Sequence, residues 1–338
     1  MEGVDNENAA QGGLGVHSLD RFSISVPDIT AAASFFSDFG LCVTPNGEGV
    51  DVAAHATPEQ VSIRIVPAER KRVRYVLFGA YANDIPRFRK RLRDMGVTET
   101  VAPDGEDADA LWFLDPGGML VGIAGLAKTM PDEKISVAPV AGASGVRAAP
   151  MRSEFGEVRP ARLAHALFFC PDIEATVAFY RDVLGLRLSD MPGAVAFMHG
   201  VHGSDHHLIA FAHSSGGPGY HHSAWDVGSV EEVGRGAMRM AQKGFARGWG
   251  LGRHVLGSNY FHYVRDPWGS YAEYSFDIDY IPVGMRWEAS YPDPENSLFL
   301  WGPLPPEDFV HNYEAGSFRD GEPGTEGDRK SFAEAMSR

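Results

Sequence analysis

Cysteine is almost missing from this 338-residue chain: Cys42 and Cys170 are the only two. Two thiols cannot build a disulfide framework, so the chain suits a reducing compartment. Both lie in apolar, strand-like contexts and read as plain core residues. An excess of positive charge is missing as well. Thirty Lys and Arg stand against 45 Asp and Glu, a formal charge of -15, which counts against nucleic acid or an anionic membrane as partner. No apolar run is long enough to span a bilayer. The opening "MEGVDNENAAQGGLGVHS" lacks the basic start and apolar core of a signal peptide. A cytoplasmic protein is the expectation, and the length suits two domains.

What the chain does have is repetition. "LDRFSISVPDITAAASFFSDFGL" from Leu19 matches "LAHALFFCPDIEATVAFYRDVLGL" from Leu163. Each has a strand-like run, Pro-Asp-Ile, a helical stretch and a closing glycine. Asp28 and Asp172 sit where N-caps belong. Ile173, Val177, Tyr180 and Leu184 fall at helical spacing, as do Ile29, Ala33 and Phe36. A second pair begins near Arg72 and Tyr220, and two Asp-Pro-x-Gly turns follow, in "LWFLDPGGMLVGIAGL" and "YFHYVRDPWGSYAEYSF". Three strand-like runs are expected after every helix. The unit is therefore βαβββ, repeated four times, two units to a domain.

The expected organisation is α+β. Residues 1–17 read as a disordered N-terminus, 18–126 as a first domain and 127–160 as a linker rich in Ala, Pro, Gly and Ser. Residues 161–302 read as a second domain and 303–338 as a tail. "SLFLWGPLPPEDF" is expected to dock on the second domain, and "DGEPGTEGDRKSFAEAMSR" to be peripheral.

The duplication supplies an internal control. With the copies aligned on their shared turns, His165 stands opposite Arg21, His222 opposite Arg74 and Glu273 opposite Gly122. One copy carries two imidazoles and a carboxylate where the other carries none. Two His and one carboxylate form the protein ligand set of a mononuclear non-haem Fe(II) site, and Mn(II) accepts the same set. Glu273, among aromatics in "SYAEYSF", is costly to bury unless paired or coordinated. In "YHHSAWDV" strand alternation separates His221, Ser223 and Trp225 from His222, Ala224 and Asp226. The repeat alignment places His222, and not His221, toward the interior.

These motifs, with "HHLIAFA" and "GRHVLGSNYFHYVRDPWGSYAEYSFD", resemble the type I extradiol ring-cleaving dioxygenases of the vicinal oxygen chelate superfamily, over residues 18 to 302. The resemblance implies paired βαβββ modules, each domain an open barrel, with Fe(II) bound only in the second domain by His165, His222 and Glu273. It implies His207 as acid–base group, with His206 facing away, His254 as a hydrogen-bonding partner of the bound diol, and Tyr263 as a donor beside the ligated oxygen. The implied reaction is meta-cleavage of a catechol-type diol with both atoms of the co-substrate O2 incorporated, giving a hydroxymuconic semialdehyde-type product in aromatic catabolism. The family commonly forms homo-oligomers.

Asn259, Phe197, Phe211, Trp225, Trp301 and Arg253 are expected around the substrate. They do not name it: mono-ring, biphenyl-type and carboxylated diols stay open. So do two other readings, a metal-dependent lyase or isomerase of the same superfamily and a non-catalytic small-molecule binding protein. The intact triad and the His207, His254 and Tyr263 entourage count against both.

Overall fold

The computed structural model describes residues 13–135 and 143–315. The far N-terminus, the middle of the linker and the end of the tail, including most of "DGEPGTEGDRKSFAEAMSR", lie outside the described residues.

Four modules follow one another. The first is β1 (Ser18–Val26), α1 (Ile29–Phe39), β2 (Cys42–Asn46), β3 (Gly49–Ala53) and β4 (Ile63–Pro67). The second is β5 (Arg72–Ala80), α2 (Ile85–Asp94), β6 (Leu111–Leu114) and β7 (Leu120–Gly125). The third is β8 (Arg162–Cys170), α3 (Ile173–Leu184), β9 (Arg187–Asp190), β10 (Val195–His199), β11 (Ser204–Asp205) and β12 (Ile209–His213). The fourth is β13 (Gly219–Asp226), α4 (Val230–Gln242), β14 (Gly248–Arg253), β15 (Tyr260–Arg265) and β16 (Tyr271–Phe276), after which β17 (Tyr280–Ile281) pairs back onto β11.

The helix signals act as the sequence suggests. Asp28 accepts from the Ala31 amide and Asp172 from the Ala175 amide, both at 2.9 Å. Gly40 and Gly185 end the two helices in the left-handed region, at φ 104° and 78°, where a Cβ is disfavoured. The predicted stripe of α3 is buried in full. In α1 the stripe is displaced: Ala32, Phe35, Phe36 and Phe39 are buried, while Ile29 and Ala33 are only partly so.

The second module departs from the expected unit. Between α2 and β6 the chain forms no strand, and Thr100 N bonding Trp112 O at 2.7 Å ties the loop to β6. Pro103 has no amide to donate, and the loop crosses the sheet face to deliver Glu106 to Arg21, Arg64 and Tyr75.

Two open mixed sheets result, in the orders β2-β3-β4-β1-β5-β7-β6 and β14-β15-β16-β13-β8-β12-β10-β9. Within each, the two modules join through an antiparallel pair, β1 with β5 and β8 with β13. One large core runs continuously through both halves. Helix α1 packs on α4 and α2 on α3, so each half supplies helices to the other. Phe22 meets Phe168 and Tyr220, at 5.7 and 5.0 Å between ring centres. Phe39 stacks on Tyr274 at 3.9 Å, and the Tyr274 hydroxyl donates to the Phe39 carbonyl at 2.7 Å.

Several boundaries sit differently from the sequence reading. Val16 and His17 are fully buried, and Val16 N bonds Leu184 O, so this part of the expected disordered N-terminus is packed. Phe309 is buried among Trp249, Phe261, Tyr263 and Tyr271, in line with the docking expected of "SLFLWGPLPPEDF", and the packed chain runs on through His311, Asn312 and Glu314 of the expected tail. Cys170 is a core residue, whereas Cys42 is half-buried on an edge strand with its sulfur 3.1 Å from His55 Nδ1. Among the described residues, no helix is long and apolar enough to cross a membrane.

The stack between the halves has a measurable consequence. Phe39→Ala empties a fully buried aromatic site and strips Tyr274 of its partner. Truncations of this kind cost about 3–5 kcal/mol. Urea unfolding should show the midpoint falling accordingly; a wild-type midpoint would mean the two halves do not depend on this contact.

Candidate metal centre

The face of the second sheet turned away from the helices carries the chemistry. Three adjacent strands supply it. On β13, Ala224 pairs with His165 of β8 on one side and with Glu273 of β16 on the other. Alanine at the middle of that rung leaves room for its two neighbours to lean together. His222 stands two residues earlier on β13 and on the same face. His165 Nε2 and His222 Nε2 each lie 3.4 Å from Glu273 Oε2. The three residues are buried, and their ligand atoms all lie within 4.8 Å of one another, the one such group of three among the described residues.

This donor set fits a divalent ion on its own geometry. His222 Nε2 and Glu273 Oε2 are buried without hydrogen-bond partners, an arrangement that is costly unless a cation accepts the lone pairs. Nitrogen and oxygen donors about 2.1 Å from a shared ion stand about 3.0–3.4 Å apart at angles between square and tetrahedral. A borderline first-row metal suits two imidazoles and a carboxylate.

Hydrogen bonds behind the triad fix which nitrogen points inward. His221 Nε2 bonds the Phe309 carbonyl at 2.6 Å. A carbonyl only accepts, so this nitrogen carries the hydrogen. His221 Nδ1 is then bare in the neutral ring and accepts from His222 Nδ1, 2.6 Å away. That leaves His222 Nε2 as a lone pair facing Glu273. Burial, then the neighbouring His221, His165 and His254, hold His222 well below its usual protonation range. Glu273 is oriented in turn: Asn259 Nδ2 donates to its Oε1 and to Ser275 Oγ, both at 3.0 Å.

The expected separation of His221 from His222 by strand alternation does not hold. The register of β13 against β8 shifts between Tyr220 and His222. This bulge inserts one residue and re-aims the side chains around it, so both imidazoles line the same cavity. His222 alone faces Glu273, while His221 braces it.

The cavity beside the triad, about 80 Å³, is walled mostly by apolar side chains, with Leu167, Val195, Phe197, Leu256, Leu298 and Phe309 among them. His207, His254 and Tyr263 also line it. His254 Nδ1 bonds the Leu298 carbonyl at 2.6 Å, and its Nε2 lies 3.0 Å from the Tyr263 hydroxyl. Burial and the adjacent Glu273 carboxylate hold Tyr263 far above its usual range, as a neutral phenol. Burial, followed by the neighbouring imidazoles, keeps His207 neutral. Part of the wall is the C-terminal segment, which is tied across the halves: Glu314 pairs with Lys71 at 3.2 Å and accepts from the amides of Val73 and Tyr220.

Of the substrate-contact residues expected from sequence, Phe197 and Asn259 line this cavity. Four lie elsewhere. Phe211 is on the opposite face of β12, packed on Tyr180 at 4.6 Å. Trp225 is in the main core, its indole donating to Ser223 Oγ at 3.0 Å. Trp301 is 44% exposed and pairs with Arg253 at the edge of the sheet. Arg253 is spent on the Ser258 carbonyl and lies over the Tyr260 ring. Alternation decides the first: Ala212 and Leu167 share the cavity face, and Phe211 is out of phase with them. Sequence reasoning missed Leu167, although it stands two residues after His165. It also missed Phe309 and Val310, which arrive from distant chain with no local signal.

The first sheet carries the same framework without the site. Arg21, Leu77 and Gly122 form the rung that corresponds to His165, Ala224 and Glu273. Register then places Tyr75, not Arg74, at the His222 position; Arg74 is exposed. Arg21 and Tyr75 both bond Glu106, whose side chain is fully buried and also paired to Arg64. A Cβ at Gly122 would lie 2.6 Å from Leu77 and 2.7 Å from Trp112, so no carboxylate fits there unaided.

A model of the Glyoxalase/Bleomycin resistance protein/Dioxygenase superfamily matches residues 162–274. The chain is 47% identical over 302 residues to Metapyrocatechase 2 of Cupriavidus necator, spanning 89% of this chain and 93% of that one. Its fold is similar to the crystal structure of the Mn(II)-bound glyoxalase from Novosphingobium aromaticivorans, with a TM-score of 0.71 at 24% identity over 94% of this chain and 100% of that one. It is also similar to a crystal structure of catechol 2,3-dioxygenase, with a TM-score of 0.64 at 18% identity over 88% and 97% of the two chains. At these identities the structural likenesses bear on the fold alone.

The bracing of His222 by His221 separates two variants. His222→Ala should abolish retention of a divalent metal. His221→Ala should keep the metal but loosen it by about 10–100-fold, the usual scale for losing the partner of a ligating imidazole. Metal content and competition with a chelator read both. The reverse order would exchange the two histidines' assignments.

Proposed function

The chain belongs to the extradiol ring-cleaving dioxygenases, enzymes of meta-cleavage of catechols, and we propose on that premise how its residues divide the work. His165, His222 and Glu273 hold one Fe(II); the ligand set accepts Mn(II) as well. When bound, the ion supplies a positive charge that eases ionisation of the diol and a template that gathers diol and dioxygen. The observation that carries this reading is the convergence of two buried imidazole nitrogens on one buried carboxylate oxygen, each 3.4 Å from it, beside an apolar cavity that both histidines line.

The protein groups around the triad fall into two sets. Tyr263, kept neutral, donates its hydroxyl hydrogen to the bare Nε2 of His254, and its oxygen faces the cavity on one side as an acceptor for a diol hydroxyl. On the other side stands His207, whose neutral ring accepts a proton at the nitrogen facing the cavity and returns it later in the reaction. A general acid–base group needs both states within reach. The apolar walls clamp the ring and exclude water. The product is a hydroxymuconic semialdehyde-type, yellow compound carrying both oxygen atoms of O2.

The substrate is an uncharged catechol. Among the described residues no Lys or Arg lines the cavity, so a carboxylate on the ring would be buried without a counter-ion, at a cost of several kcal/mol. Oxygen uptake by the Fe(II)-loaded enzyme should match yellow product one to one with unsubstituted and alkyl catechols. A ring-carboxylated catechol should lose about 100-fold or more in kcat/KM. Comparable kcat/KM for both would overturn the substrate assignment, and no uptake with any catechol would overturn the division of labour. His207→Phe should retain the metal and lose turnover by about 100-fold or more; unchanged turnover would remove His207 from the reaction.

A further inference from the structure

Behind His207 a chain of hydrogen bonds runs out to the surface. His206 Nδ1 lies 3.0 Å from His207 Nδ1, and His206 Nε2 lies 2.6 Å from Asp190 Oδ2. Asp190 closes strand β9. Its other oxygen, Oδ1, accepts from the Ser290 amide at 2.8 Å and from the Ser290 hydroxyl. The expectation that His206 faces away from the cavity is met, because it does not line it. Its ring is engaged all the same, fully buried between Phe197 and Trp287.

The hydrogens in this chain can be assigned. A carboxylate only accepts, so His206 Nε2 carries a hydrogen toward Asp190. Burial works against the Asp190 charge, but the bonds from His206 and Ser290 outweigh it and hold the carboxyl below its usual range. Where that is the one hydrogen His206 carries, the hydrogen between the two rings sits on His207 Nδ1, and His207 Nε2 is left bare on the side away from His206.

We propose that Asp190 and His206 are positioning residues that set the tautomer of His207, presenting its Nε2 to the cavity as a bare proton acceptor. The inference rests on the reading of His207 as the acid–base group. Asp190 does so from 16 residues away in sequence, at the end of β9, whereas His206 lies just after β11. The pairing repeats the logic of His221 and His222, where the Phe309 carbonyl plays the part of Asp190.

Asp190→Asn gives a sharp test. The Ser290 amide must keep an acceptor, so the amide oxygen stays at the Oδ1 place and the NH2 turns to His206. His206 Nε2 then has to accept, its hydrogen moves to Nδ1, and His207 is forced into the opposite tautomer with Nε2 protonated. A wrong tautomer behind a catalytic base is costly even when geometry is kept.

The first readout is independent of activity: 15N spectra of histidine-labelled, Zn(II)-loaded protein, in which protonated and bare ring nitrogens are well separated. The wild type should show His207 with Nδ1 protonated, and D190N should show Nε2 protonated with metal content unchanged. The second readout is steady-state kinetics of the Fe(II) enzyme with catechol. The kcat of D190N should fall by about 100-fold or more while KM moves little. A wild-type tautomer in D190N, or a wild-type kcat, overturns the proposal. If D190N does not fold, His206→Gln decides: folded and metal-loaded with wild-type kcat it overturns the proposal, and with the same kcat-selective loss it supports it. His207→Phe, run in parallel, keeps the two claims apart. Full turnover there sinks the acid–base reading, while the tautomer assignment stands or falls on the spectra.

Discussion

A neutral imidazole has one hydrogen to give, and the partner that takes it decides what the other nitrogen can do. The whole site follows from that constraint. Burial makes protonation of His221, His222, His254 and His207 costly, so each of these is limited to its single hydrogen. The Phe309 carbonyl claims the hydrogen of His221, the Leu298 carbonyl that of His254, and the Asp190 carboxylate that of His206. Each claim propagates inward, to a lone pair on His222 aimed at Glu273, to His254 Nε2 against Tyr263, and to His207. Two of the three acceptors belong to the C-terminal segment. That segment therefore does more than cover the cavity: its backbone carbonyls orient the nitrogens.

The same framework in the first half shows what the site requires beyond the fold. The rung and the strand order are alike, yet Arg21, Tyr75 and Gly122 replace the ligands. The space they would serve is filled by Glu106, brought in on a loop where the other modules have a strand. Charge pairing there is internal and complete, with Arg21 and Arg64 both on Glu106. A buried carboxylate held by two guanidiniums has no lone pair to spare for a metal. One half keeps its polar atoms unsatisfied for a ligand, and the other satisfies them with its own side chains. The continuous core between the sheets lets the inert half support the active one.

Much of this was legible in the chain. Period, caps and turns announced four modules, because helix and strand periodicities, N-cap carboxylates and glycine stops are local properties. The contrast between the copies singled out His165 and Glu273, because the duplicated strands carry equivalent side chains to equivalent places; His222 was set against Arg74, one residue off the Tyr75 that the register puts there. The resemblance carried by the motifs named the reaction class and pointed to His207, His254 and Tyr263. Tertiary structure alone decided the rest. The bulge in β13 put His221 beside His222, since bulges depend on pairing with a neighbouring strand. Trp225 and Phe211 went to the core, and Phe309 and Leu298 to the cavity, since the face that is buried depends on which sheet side receives the helices and which receives the returning chain. The hydrogens of the imidazoles were assigned last, by carbonyls and a carboxylate far away in sequence. A side chain's identity is written in the sequence, but its one available hydrogen is directed only by what folds against it.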